Sequence, residues 1–192
     1  MTTNNKLNVA LSGQTGSGKF VGDTSPTLVT PILGAATAPQ LTFSSTTGLK
    51  GSNTNDSAAA GSVGEFMSSN LASGNAISTT NGAYKDLTTL TVTAGDWDIW
   101  GSVCSLPAAG TITSRVAGWV GTVSATPPTA PAGGTFVYMF IGLTAAGSVS
   151  YFPIGRKRFS FSTTTTVYLT GGINFSVSTM SIYGFIAARR VR

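Results

Sequence analysis

The sequence predicts an all-β protein in which an extended N-terminal segment, residues 1–60, precedes an antiparallel β-sandwich of jelly-roll type, residues 61–192. Three observations support this prediction. Short runs rich in β-branched and aromatic residues recur from about residue 62, with turn residues between them. No stretch shows the apolar spacing of an amphipathic helix. Only 9% of the 192 residues are charged, so Ser and Thr must supply most of the polar strand faces.

The N-terminal segment lacks a pattern that could build a hydrophobic core. Residues 4–11 could form one short strand, but Pro26, Pro31 and Pro39 would interrupt any central strand or helix after it. A segment of this kind buries apolar surface only by winding around identical chains or by lying on another protein. Full disorder is the alternative interpretation of the same composition.

Nine β-rich runs make up the predicted sandwich. Asn81-Gly82 and Ala94–Asp96 are turn signals between runs, and Leu90 and Val92 alternate with threonines, as on a half-buried strand. The predicted strands are Val63–Leu71, Ala83–Thr93, Trp97–Leu106, Thr111–Ser124, Thr135–Thr144, Ser148–Phe152, Lys157–Ser162, Thr166–Asn174 and Thr179–Val191.

Two rare residue types exclude several classes of function. The chain has no histidine and a single cysteine, Cys104. One chain therefore cannot build a His-containing catalytic triad, a histidine zinc site or an intrachain disulfide. We expect Cys104 to be a small buried residue in a strand. The sequence predicts no catalytic residue, no metal site and no cofactor.

Gly13–Lys19 matches the first seven positions of the phosphate-binding pattern G-x-x-x-x-G-K-[ST]. The eighth residue is Phe20, so the hydroxyl that would bind Mg²⁺ is missing. Pro26 follows without any helical period, whereas such a loop must open a helix whose N-terminus faces the phosphates. The sequence therefore predicts no nucleotide site.

Asp96 and Asp98 are the one close pair of carboxylates. On a strand they would share a face, roughly 6.5–7 Å apart, which suits a glycosidase pair or a cation site. The alternative is that Gly95-Asp96 closes a turn while Trp97 and Ile99 enter the core on the opposite face. We favour this second interpretation.

The positive charge is concentrated in the second half of the chain. The net charge is +5, and all six acidic residues lie at or before Asp98. Two basic clusters follow, and Arg in such clusters binds phosphate or carboxylate in bidentate fashion. They are candidate anionic-ligand or subunit contacts, with solvated strand ends as the alternative: Arg156, Lys157, Arg158, Arg189, Arg190 and Arg192. Aromatic residues interleaved with the bases, which nucleic-acid binding favours, are few.

No targeting or membrane signal is evident in the sequence. The polar start is not followed by the apolar region of a secretory signal peptide. The longest apolar stretch, Phe136–Leu143, is far shorter than the ~20 residues that span a bilayer. We therefore expect no membrane insertion, and synthesis in a reducing cytoplasm.

Four strings resemble bacteriophage virion fibre proteins, in particular tail-fibre and receptor-binding proteins. The most specific is LNVALSGQTGSGKFVGDTSPTLVTPILGAATAP, residues 7–39, and it contains the glycine-rich loop described above. The others are VGEFMSSNLASG (63–74), LTTLTVTAGDWDIWGSV (87–103) and YGFIAARRVR (183–192). A single TSPTLVTP unit implies a short shaft.

The resemblance implies a non-enzymatic homotrimer whose N-terminal segment attaches to other virion proteins and whose β-sandwich head meets a host glycan or lipopolysaccharide. It implies location in the virion after assembly in the host cytoplasm. It transfers no receptor-contact residue, because the exposed loops of such heads vary most. Two alternatives remain: a capsid decoration protein or head fibre bound to the major capsid protein, and a carbohydrate-cleaving enzyme that uses Asp96 and Asp98.

Overall fold

A computed structural model describes residue 54 and residues 56–128, 136–143 and 148–192, the backbone alone at 136–143. Nearly all of the predicted N-terminal segment, with the glycine-rich loop, lies outside these ranges. A 3-10 turn spans Ser73–Asn75. The strands are β1 (Phe66–Leu71), β2 (Ile77–Thr79), β3 (Tyr84–Val92), β4 (Gly95–Pro107), β5 (Ile112–Gly121), β6 (Phe136–Leu143), β7 (Ser150–Phe161), β8 (Thr165–Ser176) and β9 (Met180–Arg190).

Two antiparallel sheets form the sandwich. In the front sheet the order is β1-β9-β4-β7, and β2 also pairs with β9; in the back sheet it is β3-β8-β5-β6. The pairs are nested along the chain, since β5 pairs with β6, β4 with β7, β3 with β8, and β1 and β2 with β9. A long hairpin rolled up in this way is a jelly roll. The predicted all-β sandwich is confirmed.

The core lies between the two sheets and follows the alternation in the sequence. Leu90 and Val92 are both buried, as their spacing among threonines predicts. Burying each such side chain stabilises the fold by about 1.5–3 kcal/mol relative to leaving it exposed to water. The largest fully buried side chains of this core are Trp97, Ile99, Leu169, Ile173, Met180, Ile182 and Ile186.

The two ends of the head meet at one end of the sandwich. The Gly64 N–H donates to the Arg190 carbonyl at 3.0 Å, and the Arg190 N–H donates to the Glu65 carbonyl at 2.9 Å. The Asp96 N–H donates to the Arg192 carbonyl at 3.2 Å. We call this the terminal end. The turns that join β2 to β3, β4 to β5 and β8 to β9 lie at the opposite end.

Two details of the strand prediction were wrong. The runs at 148–152 and 157–162 form one strand, β7, which continues through Pro153 and Gly155. Pro153 is tolerated because β7 is an edge strand, in which one side of the backbone has no strand to donate hydrogen bonds to. Gly155 lies at a register shift opposite Trp100. The strand β2 was also missed, because its three residues carry too short a pattern.

Candidate functional site

Asp96 and Asp98 occupy one face of β4, and Trp97 and Ile99 on its other face are 0% exposed. The predicted alternation of carboxylates with core residues is confirmed. The two carboxylates also meet the basic clusters, because β7 and β9 flank β4. Register places Arg158 and Arg189 on either side of Asp98.

Asp96 is only 2% exposed, because arginine side chains cover it. Arg158 donates to its carboxylate at 2.5 Å, and Arg192 does so at 2.8 Å. Hydrogen bonds from Ser160 and then from Arg158 hold the pKa of Asp96 below its usual value. This carboxylate is therefore an ionised acceptor that fixes the terminal end, and it is unsuited to donate a proton as a general acid.

Arg190 lies inside the terminal end and is 5% exposed. Its Nε donates to Glu65 at 2.9 Å, its Nη1 donates to the Ala94 carbonyl at 2.9 Å, and its Nη2 donates to the Thr93 hydroxyl. The guanidinium lies over the Trp97 ring, 4.4 Å from its centroid. Arg190 therefore makes its ion pair, its hydrogen bonds and its ring contact within its own chain.

Glu65 is the acidic partner of Arg190 and is held in its ionised form. The backbone N–H of Gly61 donates to its carboxylate at 2.8 Å. That hydrogen bond, followed by the one from Arg190, lowers the pKa of Glu65. The contacts tie residues 61–65 to the last residues of the chain.

The remaining basic residues point in different directions. Lys157 lies over the Phe159 ring, 5.4 Å from its centroid. Arg156 is 66% exposed, makes a 3.7 Å contact to Asp98, and lies 5.1 Å from the Trp100 ring centroid. Arg189 is exposed, and among the residues that the structure describes it forms no ion pair.

Arg156 and Arg189 line a groove of about 560 Å³ on the outer face of the front sheet. We call it the arginine groove; its lining residues are Asp56, Ser57, Ala58, Gly64, Phe66, Trp100, Arg156 and Arg189. The Phe66 and Trp100 rings are neighbours there, with centroids 6.2 Å apart. Two guanidinium groups thus stand beside two aromatic rings.

A second groove, of about 280 Å³, lies further along the same face. We call it the tyrosine groove; its lining includes Asn70, Ser102, Cys104, Tyr151, Tyr183 and Phe185. Tyr183 donates to the Tyr151 hydroxyl at 3.4 Å, and this hydrogen bond together with burial raises the pKa of Tyr183 to about 12. Burial also raises the pKa of the Cys104 thiol, so it stays protonated and unreactive, as expected of a buried strand residue.

The tyrosine groove was missed at the sequence level. Its signal was present, because Tyr183 and Phe185 alternate with the buried Ile182 and Ile186 and must therefore face outward. The partner Tyr151 comes from another strand, and only the pairing of β4 with both β7 and β9 brings it close.

Trp119 cannot stack on a ligand at the surface. It is 0% exposed and packs edge-on against Tyr84, with ring centroids 4.8 Å apart. Trp100 is half-buried and lines the arginine groove, so part of its ring remains accessible.

Among the described residues, no group of three or more His, Cys, Asp and Glu side chains that could hold a metal ion comes together. In the same part of the chain, no helix has the length and apolarity to cross a membrane.

No protein-family model matches the chain, and no curated protein matches it. Solved structures that match include chains from infectious bursal disease virus. The Gx strain structure has 15% identity and a TM-score of 0.42, over 66% of this chain and 32% of that one. The VP2 subviral particle has 12% identity and a TM-score of 0.39, over 74% and 37%. The chain thus spans about a third of each, and these matches assign it no family.

Proposed function

We propose that this chain is a non-enzymatic structural protein of a bacteriophage particle: a short trimeric tail fibre or receptor-binding protein that mediates attachment to the host. Its N-terminal segment joins it to other virion proteins, and its jelly-roll head projects outward. It assembles in the host cytoplasm and acts as part of the virion.

One observation carries the proposal. The three head strings that resemble virion fibre proteins, residues 63–74, 87–103 and 183–192, meet at the terminal end. They supply Glu65, Asp96 and Arg190, whose contacts hold that end together. Residues 61–65, which follow the N-terminal segment in the sequence, lie at this same end. The three head strings therefore supply the contacts of the end at which the head sequence begins, which supports a role for that end in attachment.

The environment of Asp96 supports a non-enzymatic role. A glycosidase of the usual kind needs one carboxylic acid with a raised pKa. Asp96 has a lowered pKa and is covered by Arg158 and Arg192, and Asp98 faces Arg156. The pair is used to fasten β4 to its neighbours, so it is a poor basis for carbohydrate cleavage.

Gold-labelled antibody against the head, applied to intact particles, tests the proposal. We expect label on the tail and none on particles that lack the protein. Label on the shell would replace the tail-fibre proposal by a capsid decoration protein or head fibre. An absence of label on every particle would reject a virion role.

A further inference from the structure

The outer face of the front sheet carries both grooves. Trp100, in the arginine groove, and Cys104, in the tyrosine groove, point to this face from the same strand. They are four positions apart along the strand, which corresponds to about 13 Å. An extended ligand lying along β4 would therefore contact both grooves at once.

The arginine groove is suited to an anionic group attached to an apolar face. Arg189 has no ion pair among the described residues, and the contact of Arg156 with Asp98 is long. Guanidinium groups bind carboxylate and phosphate in bidentate fashion. Within the part of the lining that the structure describes, Asp56 is the one acidic residue, and its carboxylate accepts a hydrogen bond from the Thr54 hydroxyl.

The tyrosine groove has a different, uncharged chemistry. Tyr151, which is 68% exposed, and Phe185 offer aromatic surface. Asn70 and Ser102 add an amide and a hydroxyl at the same place. A neutral sugar ring, with an apolar face and a rim of hydroxyl groups, matches this combination of aromatic surface and hydrogen-bonding groups.

We infer that the outer face of the front sheet binds an acidic oligosaccharide, with a carboxylated or phosphorylated sugar in the arginine groove and a neutral sugar in the tyrosine groove. This inference rests on the proposed attachment function and names its ligand class. Aromatic residues and arginine also suit protein interfaces. The grooves, however, are local open depressions of about 560 and 280 Å³, near the lower end of the about 300–1,000 Å³ range of small-molecule sites, whereas a protein partner covers a broad patch.

Binding of the full-length protein to an array of defined oligosaccharides tests the inference. Each backbone on the array is present in carboxylated, phosphorylated and neutral form. We expect the acidic members to bind more tightly than the neutral ones. Arg189→Ala should weaken that binding about tenfold, because a charge-assisted hydrogen bond is lost. Lys85→Ala, which removes an exposed positive charge from the back sheet, is the matched control and should leave binding unchanged.

The length of the ligand provides a second readout. Tyr151→Ala should weaken an acidic tetrasaccharide about threefold to tenfold, because one aromatic contact is lost. An acidic disaccharide, which fills the arginine groove alone, should be unaffected by Tyr151→Ala. The melting temperatures of both variants should match that of the parent, since both side chains are exposed.

Three results would overturn the inference: no preference for acidic members, equal losses in Arg189→Ala and Lys85→Ala, or a change in oligomeric mass in Tyr151→Ala. The last result would identify the face as a subunit contact. Particles that carry the protein on the tail, together with an array that shows no acidic preference, would reject the inference and leave the proposed function intact. Label on the shell would reject the tail-fibre proposal whatever the array shows.

Discussion

Gly95 and Arg190 show how single residues determine the terminal end. Gly95 has a φ of +131°, which side chains rarely adopt, and a Cβ there would collide with the Arg190 guanidinium. The glycine thus leaves room for an arginine that reaches Glu65, Thr93 and the Trp97 ring. Removing one partner of such a buried pair costs about 3–5 kcal/mol, because the other charge is left uncompensated.

Gly95→Ala is expected to lower the free energy of unfolding. Backbone strain alone costs about 1–3 kcal/mol, and the loss should be larger because Arg190 must also move. Gly110→Ala is the control, since Gly110 has a φ of +80° with nothing within 4 Å of the added Cβ. Chemical denaturation of both variants measures the difference. Equal losses would show that the collision with Arg190 contributes nothing.

Acidification is expected to destabilise the head. The pKa values of Glu65 and Asp96 are lower in the folded chain than their usual values of 4.5 and 3.8. Their contribution to stability is therefore complete above the unfolded pKa values, and it is lost as the pH falls through the folded ones. The melting temperature should be constant near pH 6 and fall below about pH 4.5.

The variant Glu65→Gln checks that assignment. Its melting temperature should fall less steeply between pH 5 and pH 3 than that of the parent, because one of the two titrating groups is gone. Asp56→Asn, which changes an exposed carboxylate, is the control and should keep the slope of the parent. A melting temperature that rises on acidification in the parent would contradict the roles of Glu65 and Asp96.

At the scale of elements, Asp86 on β3 holds the segment that follows β5. Its carboxylate accepts hydrogen bonds from the Ser124 hydroxyl at 2.5 Å, the Ala125 N–H at 2.9 Å and the buried Thr170 hydroxyl at 2.5 Å. One side chain thus joins β3, β8 and the segment after β5. The same segment and Trp119 together line a cavity.

Asp86→Ala is expected to release residues 122–128 and expose Trp119 to water. The emission of the variant should shift to longer wavelength, and acrylamide should quench it more strongly than in the parent. Thr89→Ala, which changes an exposed residue on the same strand as Asp86, is the control. Unchanged quenching in Asp86→Ala would mean that other contacts hold the segment in place.

The strands themselves were largely predictable, because alternation along each strand is local and a half-buried sheet enforces it. Leu90, Val92, Trp97 and Ile99 all lie where their spacing places them. The partners of each strand were not predictable, because the pairing of β1 with β9 depends on the rolling of the whole chain. The grooves were missed for the same reason, since each combines residues from several strands.

At the scale of the whole molecule, the few charged residues of the chain have a specific arrangement. Three of the six acids, Glu65, Asp96 and Asp98, face arginines at the terminal end. The second half of the chain is basic in sequence, but much of that charge is compensated within the fold. Arg189 is exposed and forms no ion pair among the described residues, and it lines the arginine groove together with Arg156.

The N-terminal segment leads to a prediction about assembly. Because its sequence offers little core of its own, we expect it to gain burial by association with identical chains. Purified protein should therefore show about three times its 19.5 kDa monomer mass in light scattering. A monomer at micromolar concentration would contradict a trimeric shaft.

We propose that the head is fastened to a phage tail through its terminal end. A cryo-electron microscopy map of the intact particle would show this attachment. We expect trimeric heads on the tail, with the Glu65–Arg190 end toward the particle and the turn between β4 and β5 directed away from it. Heads on the shell, or heads whose terminal end faces outward, would contradict it.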